Sequence, residues 1–129
     1  MIKIYLERKI TRDDLAPGSL EKHPELRELY SLYEEEGDFT YTRYIREELP
    51  PHVARKILNT RILELLDFLS KNKDIGVSEL ARSLGRSAPN VSRDLRFLAR
   101  WKLVRLNEQG KKKTVEITAR RIEILFAEK

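Results

Sequence analysis

The sequence predicts a mainly α-helical fold that closes with a small β-hairpin, an α+β arrangement. Apolar residues recur at helical spacing through most of residues 59–101, and Gly85 interrupts the pattern once. Apolar and polar residues then alternate on both sides of a lysine-rich turn, as they do in hairpins. With 129 residues, the chain suits one domain, or a small domain with an appended element.

The composition excludes several classes of protein. Apolar residues make up 40% and charged residues 36%, a balance typical of folded chains rather than disordered ones. The absence of cysteine excludes disulfides, thiolate metal sites and cysteine nucleophiles. The first ten residues are too charged for a signal peptide, and no apolar run approaches the roughly 20 residues of a membrane span. We therefore expect a cytoplasmic protein without membrane contact.

Charge is distributed unevenly along the chain. Residues 1–49 contain 8 basic and 12 acidic side chains, whereas residues 50–129 contain 18 basic and 9 acidic ones. A basic region of this kind is typical of proteins that bind a polyanion. We predict an N-terminal extension over residues 1–50, made of a strand and a helix and available for dimerisation or partner binding, and a separate basic domain over residues 51–129.

Within the extension, apolar and polar residues alternate over residues 2–6, which predicts a short strand. Pro24 suits the first turn of a helix that Gly37 ends. Residues 39–46 are ambiguous, because their aromatic and threonine content favours a strand while the apolar spacing fits a helix, and we favour the helix. The apolar positions behind these two helix predictions are Leu26, Leu29, Tyr30 and Tyr33 in the first and Tyr41, Tyr44, Ile45 and Leu49 in the second.

Three further helices are predicted before Gly85 in the basic region. Pro50 and Pro51 can open a short one, and Asn59 is a good cap for a longer one. The next covers residues 77–84, with Gly76 or Ser78 as its cap. The apolar positions that predict the two longer helices are Ile62, Leu65, Leu66, Leu69, Leu80, Ala81 and Leu84.

The break between residues 84 and 88 has the residues of a helix end followed by a helix start. Gly85 can adopt the left-handed conformation that ends a helix, and Ser87 can cap the next helix, from residue 88 to about 101. Pro89 is tolerated there because first-turn amides have no helical acceptor. A hairpin is predicted over the residues that follow, up to residue 117. Apolar residues, beginning with Leu103 and Val104, precede its polar turn, and apolar and polar residues alternate after the turn.

Apolar and polar residues alternate at both ends of the chain. Residues 120–126 fit a strand or a helix, and we leave both open. As strands, residues 2–6 and 121–126 would each expose an apolar edge, so we expect them to pair, either with each other or across a dimer.

The order helix, helix, tight turn, helix, hairpin over residues 59–118 resembles the winged helix-turn-helix transcription regulators of prokaryotes, including the MarR and ArsR types. The stretch "SELARSLGRSAPNVSRDLRFLARWKLV" carries the resemblance. It implies a winged-helix DNA-binding domain over residues 51–129, a recognition helix over 88–101 and a basic wing over 107–114. The sequence departs from the family at Lys102, where glycine is common, and at Phe97 and Trp101, where polar residues are common.

Projected at helical spacing, Val91, Leu95 and Leu98 face one side of the recognition helix and its arginines face the other. Arginine can bind guanine edges or phosphates, and lysines at a hairpin tip can bind phosphates. The predicted DNA-binding residues are Arg86, Ser87, Pro89, Asn90, Ser92, Arg93, Arg96, Arg100, Lys111, Lys112 and Lys113.

We therefore predict a homodimeric transcription regulator that binds double-stranded DNA sequence-specifically. His23 and His52 are isolated and no glycine-rich phosphate loop occurs, so we expect no enzymatic activity, cofactor or metal. The alternative is a winged-helix protein-interaction module or an antitoxin-like protein. A small-molecule effector stays open, as does the surface that covers Phe97 and Trp101, either the N-terminal segment of the same chain or a dimer partner.

Overall fold

The computed structural model describes residues 2–11, 14 and 43–127. The described elements, in chain order, are β1 (Lys3–Lys9), β2 (Tyr44–Glu48), α1 (Pro51–Ile57), α2 (Thr60–Lys71), β3 (Ile75–Gly76), α3 (Val77–Leu84), α4 (Ala88–Arg100), β4 (Val104–Gln109), β5 (Lys112–Ile117) and β6 (Ala119–Leu125). They form two antiparallel three-stranded sheets, ordered β2-β1-β6 and β3-β5-β4. Helices followed by a hairpin confirm the α+β winged-helix fold.

The chain divides into two compact units. One contains residues 1–8 and 46–129, and the other contains residues 9–45. The first unit therefore includes β1 as well as the winged helix, although the predicted extension ran to residue 50. The helix predicted after Pro24 lies outside the described residues.

The predicted caps begin the two longest helices. The Asn59 side chain accepts a hydrogen bond from the Arg61 amide at 2.8 Å, and α2 follows. The Ser87 hydroxyl accepts one from the Asn90 amide at 3.3 Å, and α4 follows. Each side chain satisfies one of the first-turn amides that have no acceptor within their own helix.

A left-handed residue follows both α3 and α4. Gly85 has φ +65°, and the Arg86 amide donates to the Ala81 carbonyl across it at 3.0 Å. At the end of α4, Lys102 has φ +64°, and the Leu103 amide donates to the Leu98 carbonyl at 2.8 Å. Lysine thus adopts the conformation for which glycine is favoured in such turns.

One apolar core joins the helices to both sheets. The inward positions of α2, α3 and α4 meet Leu103 and Val115, and β1 adds Ile4 and Leu6. Leu6 is completely buried, so the first strand belongs to the same core as the helix-turn-helix.

The two chain ends pair as expected. Strands β1 and β6 are antiparallel, with Ile4 opposite Ile124 and Leu6 opposite Ile122. Residues 121–125 are therefore a strand rather than a helix.

The helix favoured for residues 39–46 is wrong where the structure describes it, because Tyr44–Glu48 is strand β2. Its neighbour in the sheet is β1, and just beyond it the Leu49 amide donates to the Ile4 carbonyl at 2.7 Å. The Arg8 guanidinium also binds the Glu47 carboxylate across the two strands. The local pattern of these residues fits both a helix and a strand, and pairing with the distant strand β1 determines that they form a strand. Tyr41 lies outside the described residues.

Candidate nucleic-acid interface

Helix α4 separates an apolar face from an arginine face. Val91, Leu95 and Leu98 are at most 1% exposed, which fixes the helix against the core. The side chains opposite them are exposed, and these are Arg93, Arg96 and Arg100. The structure therefore places three guanidinium groups on one outward surface of a rigidly packed helix.

The first turn of α4 is also accessible. Ser87, Pro89 and Asn90 are exposed, and Ser92 is half-buried. Proline stands in the first turn, where its missing N–H leaves no helical hydrogen bond unmade. The predicted contact residues of this turn thus lie at the surface beside the arginine face.

The hairpin tip carries the lysines as predicted. The last strand pair is Gln109 with Lys112, so Gly110 and Lys111 make a two-residue turn, and Gly110 has φ +65°. Lys111, Lys112 and Lys113 are all exposed. The Lys113 ammonium lies 3.7 Å from Glu108, but both side chains are exposed and such surface pairs contribute little to stability.

A cleft of about 580 Å³ connects the hairpin to the helix-turn-helix. Both partners of the predicted interface line it, since Ser92 comes from α4 and the three lysines from the wing. The remaining lining residues are Gly76, Val77, Ser78, Glu79, Arg82 and Ala88. Arg82 is an exposed basic side chain on α3 that the sequence analysis missed, although helical spacing places it outside the apolar stripe of Leu80, Ala81 and Leu84.

Arg86 differs from the other predicted contacts because an internal carboxylate binds it. Its Nη2 donates to Asp94 Oδ2 at 2.6 Å, and Arg61 Nε donates to the same oxygen at 3.1 Å. Arg86 Nη1 is buried and has no hydrogen-bond partner among the described residues. The structure thus directs Arg86 toward the inside of the domain, and its contact with DNA stays a prediction.

Asp94 was missed by the sequence analysis. It is 5% exposed although it lies on the helix with the arginine face. A helical projection puts it about 40° from Leu98, at the edge of the apolar stripe. An acidic residue in that position was the available signal that an internal ion pair would form.

Phe97 and Trp101 are half-buried and pack against the core. The Lys56 ammonium lies 4.2 Å from the centre of the Phe97 ring, a cation–π contact. Lys56 belongs to α1, so part of the cover over Phe97 comes from the same chain but from beyond the first 50 residues.

The described residues contain no group of three or more histidine, aspartate or glutamate side chains that could hold a metal ion. In the same part of the chain, no helix is both long and apolar enough to cross a membrane.

The HVO_A0114 family model matches residues 57–124, which is more than half of the chain. The chain belongs to the HVO_A0114 family. The matched range runs from the end of α1 almost to the end of β6 and so contains the helix-turn-helix, the wing and the cleft. No curated protein matches the chain.

Solved structures similar to this HVO_A0114 family member include the following three. The homodimeric winged helix-turn-helix DNA-binding domain of Mb0332 from Mycobacterium bovis, a possible ArsR-family regulator, is 26% identical, with a TM-score of 0.47 over 50% of this chain and 59% of that one. HlyU from Vibrio cholerae is 28% identical, with a TM-score of 0.46 over 51% and 72%. A mutant of S. aureus MepR, bound to an oligodeoxyribonucleotide, is 18% identical, with a TM-score of 0.46 over 75% and 65%.

Proposed function

We propose that this HVO_A0114 family member is a transcription regulator that binds double-stranded DNA sequence-specifically through α4 and the wing over residues 107–114. The observation that supports the proposal is that α4 and the wing both expose basic groups and share one cleft. Helix α4 carries an exposed arginine face and contributes Ser92 to the cleft, which Arg82 and the three exposed wing lysines also line. The major groove of B-DNA admits an α-helix, and phosphates flank it on both sides.

The two basic elements differ in how firmly they are held, and this difference suggests different roles. Helix α4 is capped at Ser87 and anchored by its buried face, so Arg93 starts from a fixed position. A fixed guanidinium can bind the O6 and N7 atoms of guanine. We assign base contacts to Arg93, with Arg96 next, and to the first-turn residues Ser87, Pro89, Asn90 and Ser92.

The wing is suited to the DNA backbone. Its lysines follow Gly110 at an exposed tip, and an ammonium is a point charge with no preferred base edge. We assign phosphate contacts to Lys111, Lys112 and Lys113 on the wing. We add Arg82 and Arg100 to this backbone group and propose that Arg86 supports the interface by holding α4 through Asp94.

We further propose that the protein acts as a homodimer without a cofactor and has no enzymatic activity. One winged helix contacts few base pairs, whereas two copies related by a two-fold axis can read half-sites about 34 Å apart. No cofactor is needed for this recognition, because the basic groups are already in place on the surface.

Substitution of one residue from each element tests the proposal. The protein is titrated with its preferred duplex, selected from a random pool, and with a random duplex at several salt concentrations. Arg93→Ala should weaken binding to the preferred duplex by about 1 to 3 kcal/mol and to random duplex much less. Lys112→Ala should weaken both alike and reduce the slope of log affinity against log salt by about one unit.

Arg55→Ala is the matched control, because it removes an exposed arginine from α1, outside the proposed interface. It should leave both affinities nearly unchanged. Equal losses on both duplexes for Arg93→Ala would make Arg93 a phosphate contact. Failure of the unmodified protein to bind duplex DNA in a salt-dependent way would reject the proposal and favour a protein-interaction module.

A further inference from the structure

Strand β6 lies at the edge of the sheet ordered β2-β1-β6. Strand β1 pairs with one side of it, and none of the other described strands pairs with the opposite side. The strand is seven residues long, without proline or glycine. Such an edge offers a row of backbone donors and acceptors that readily accept another strand.

The apolar face of this sheet extends past the core at one end. Ile4 and Leu6 are buried on that face, but Ile124, opposite Ile4, is 39% exposed. Ile2 and Phe126, which flank the last paired residues, are 57% and 72% exposed. Three large apolar side chains next to one another, beside an open edge, form a surface that is suited to a partner.

The other face of β6 carries charges of alternating sign. Arg121 and Glu123 are two residues apart and therefore point to the same side of the sheet. The Glu123 carboxylate already accepts from Arg46, whose guanidinium lies 3.9 Å from the centre of the Tyr5 ring. Arg121 is thus exposed beside the open edge, whereas the Glu123 carboxylate is directed over β1 to Arg46 and would be shared between Arg46 and a basic side chain of a partner strand.

We propose that a second copy of this chain is the partner, and that the two β6 strands pair in antiparallel orientation about a two-fold axis at Ile122. The two sheets would then form one continuous six-stranded sheet. In this register, Arg121 lies opposite Glu123 of the second copy, and the symmetry repeats that pair on the other side of the axis. Opposite charges in directly facing positions stabilise a strand pair.

Charge also selects this register over its neighbours. With the axis at Arg121, two arginines face each other, and with the axis at Glu123, two glutamates do, and both arrangements are destabilising. A shift by a single residue would bring apolar and charged faces together, which strand geometry disfavours. Around the axis at Ile122, Ile124 lies directly opposite Arg120 of the second copy, whose alkyl stem can cover it, and diagonal to Ile122, within reach of it.

This inference assigns a surface to the homodimer proposed above and rests on that part of the proposed function. It is tested without DNA, so its failure is distinguishable from a failure of DNA binding. The full chain is examined by sedimentation equilibrium at low ionic strength. We expect a dimer whose dissociation constant rises about tenfold or more in Arg121→Glu and in Glu123→Arg, because each change places like charges opposite each other twice.

The double variant with Arg121→Glu and Glu123→Arg should dimerise more tightly than either single variant, because the opposite charges between copies are restored in exchanged positions, although the Arg46–Glu123 pair within the chain stays lost. Arg55→Glu on α1 is the control for charge reversal elsewhere and should leave the dimer unchanged. Trp101 fluorescence during thermal unfolding verifies that every variant is folded. A monomeric protein, a dimer that Arg121→Glu does not weaken, or a double variant that dimerises no more tightly than either single variant would overturn the proposal.

Discussion

Asp94 joins three separate parts of the chain through a single carboxylate. One of its oxygens accepts from Arg61 on α2 and from Arg86 in the turn before α4. Asp94 itself lies on α4, so its carboxylate connects α4 to both preceding elements. The carboxylate is nearly buried while the Arg61 side chain is 52% exposed, so Arg86 is the more deeply enclosed partner.

Substitution of Asp94 by alanine should therefore destabilise the fold. Arg86 would lose its carboxylate while its Nη1 is already buried without a partner among the described residues, and an unsatisfied buried group of this kind costs about 1 to 3 kcal/mol. Asp67→Ala is the matched control, because Asp67 pairs with Lys71 one turn away and both side chains are exposed. That change should cost less than about 0.5 kcal/mol. Equal effects in urea denaturation would show that the Asp94 pairs act like ordinary surface pairs.

Single-residue features divide into those that local sequence reveals and those that it does not. Ser87 and Gly85 could be predicted, because a cap and a left-handed helix end depend on residues within four positions. The burial of Asp94 could not, because it depends on Arg61, 33 residues earlier in the chain. The arginine face of α4 was predictable for the same local reason as the caps, since helical spacing alone assigns the side of each residue.

At the scale of elements, the ends of α3 and α4 use the same left-handed conformation with different residues. Gly85 and Lys102 have φ values of +65° and +64°. A Cβ built on Gly85 meets no atom within 4 Å, so a side chain there would be opposed by backbone strain alone. Lys102 already carries that strain.

This comparison predicts two substitutions with opposite effects on the free energy of unfolding. Gly85→Ala should lower the free energy of unfolding by about 1 kcal/mol, because alanine resists positive φ. Lys102→Gly should raise it by about 0.5 kcal/mol. Glycine relieves the backbone strain, and its greater conformational freedom in the unfolded chain offsets part of that gain. Urea denaturation of both variants measures the two values. A loss of stability in Lys102→Gly would mean that contacts of the lysine side chain outweigh the strain.

The elements also differ in how well the sequence predicted them. Helices α2 and α4 each combine a side-chain cap with several turns of apolar spacing, and both were predicted. Strand β2 is five residues long, and its apolar positions also fit a helix. Its conformation is determined by pairing with β1, about 40 residues earlier in the chain. No local sequence pattern predicts that pairing.

At the scale of the whole molecule, the family match and the folded unit have different extents. The HVO_A0114 match begins at residue 57, whereas the core already contains Ile4 and Leu6. Strand β1 lies between β2 and β6, so the start of the chain is the central strand of its sheet. The charge difference between the two halves of the chain suggested a division near residue 50. Charged side chains lie mostly at the surface, so their distribution does not predict which strand packs into the core.

This arrangement predicts that β1 and the winged helix unfold together. Leu6→Ala should lower the free energy of unfolding by about 2 to 5 kcal/mol, because it opens a cavity at a completely buried position. Trp101, the single tryptophan of the chain, reports the transition from the end of α4, and circular dichroism should report the same midpoint. Leu63→Ala, at a side chain on α2 that is 43% exposed, should change stability by less than about 0.5 kcal/mol. If Leu6→Ala left the Trp101 transition in place while it shifted the circular dichroism, β1 would be an independent attachment and the shared core would be wrong.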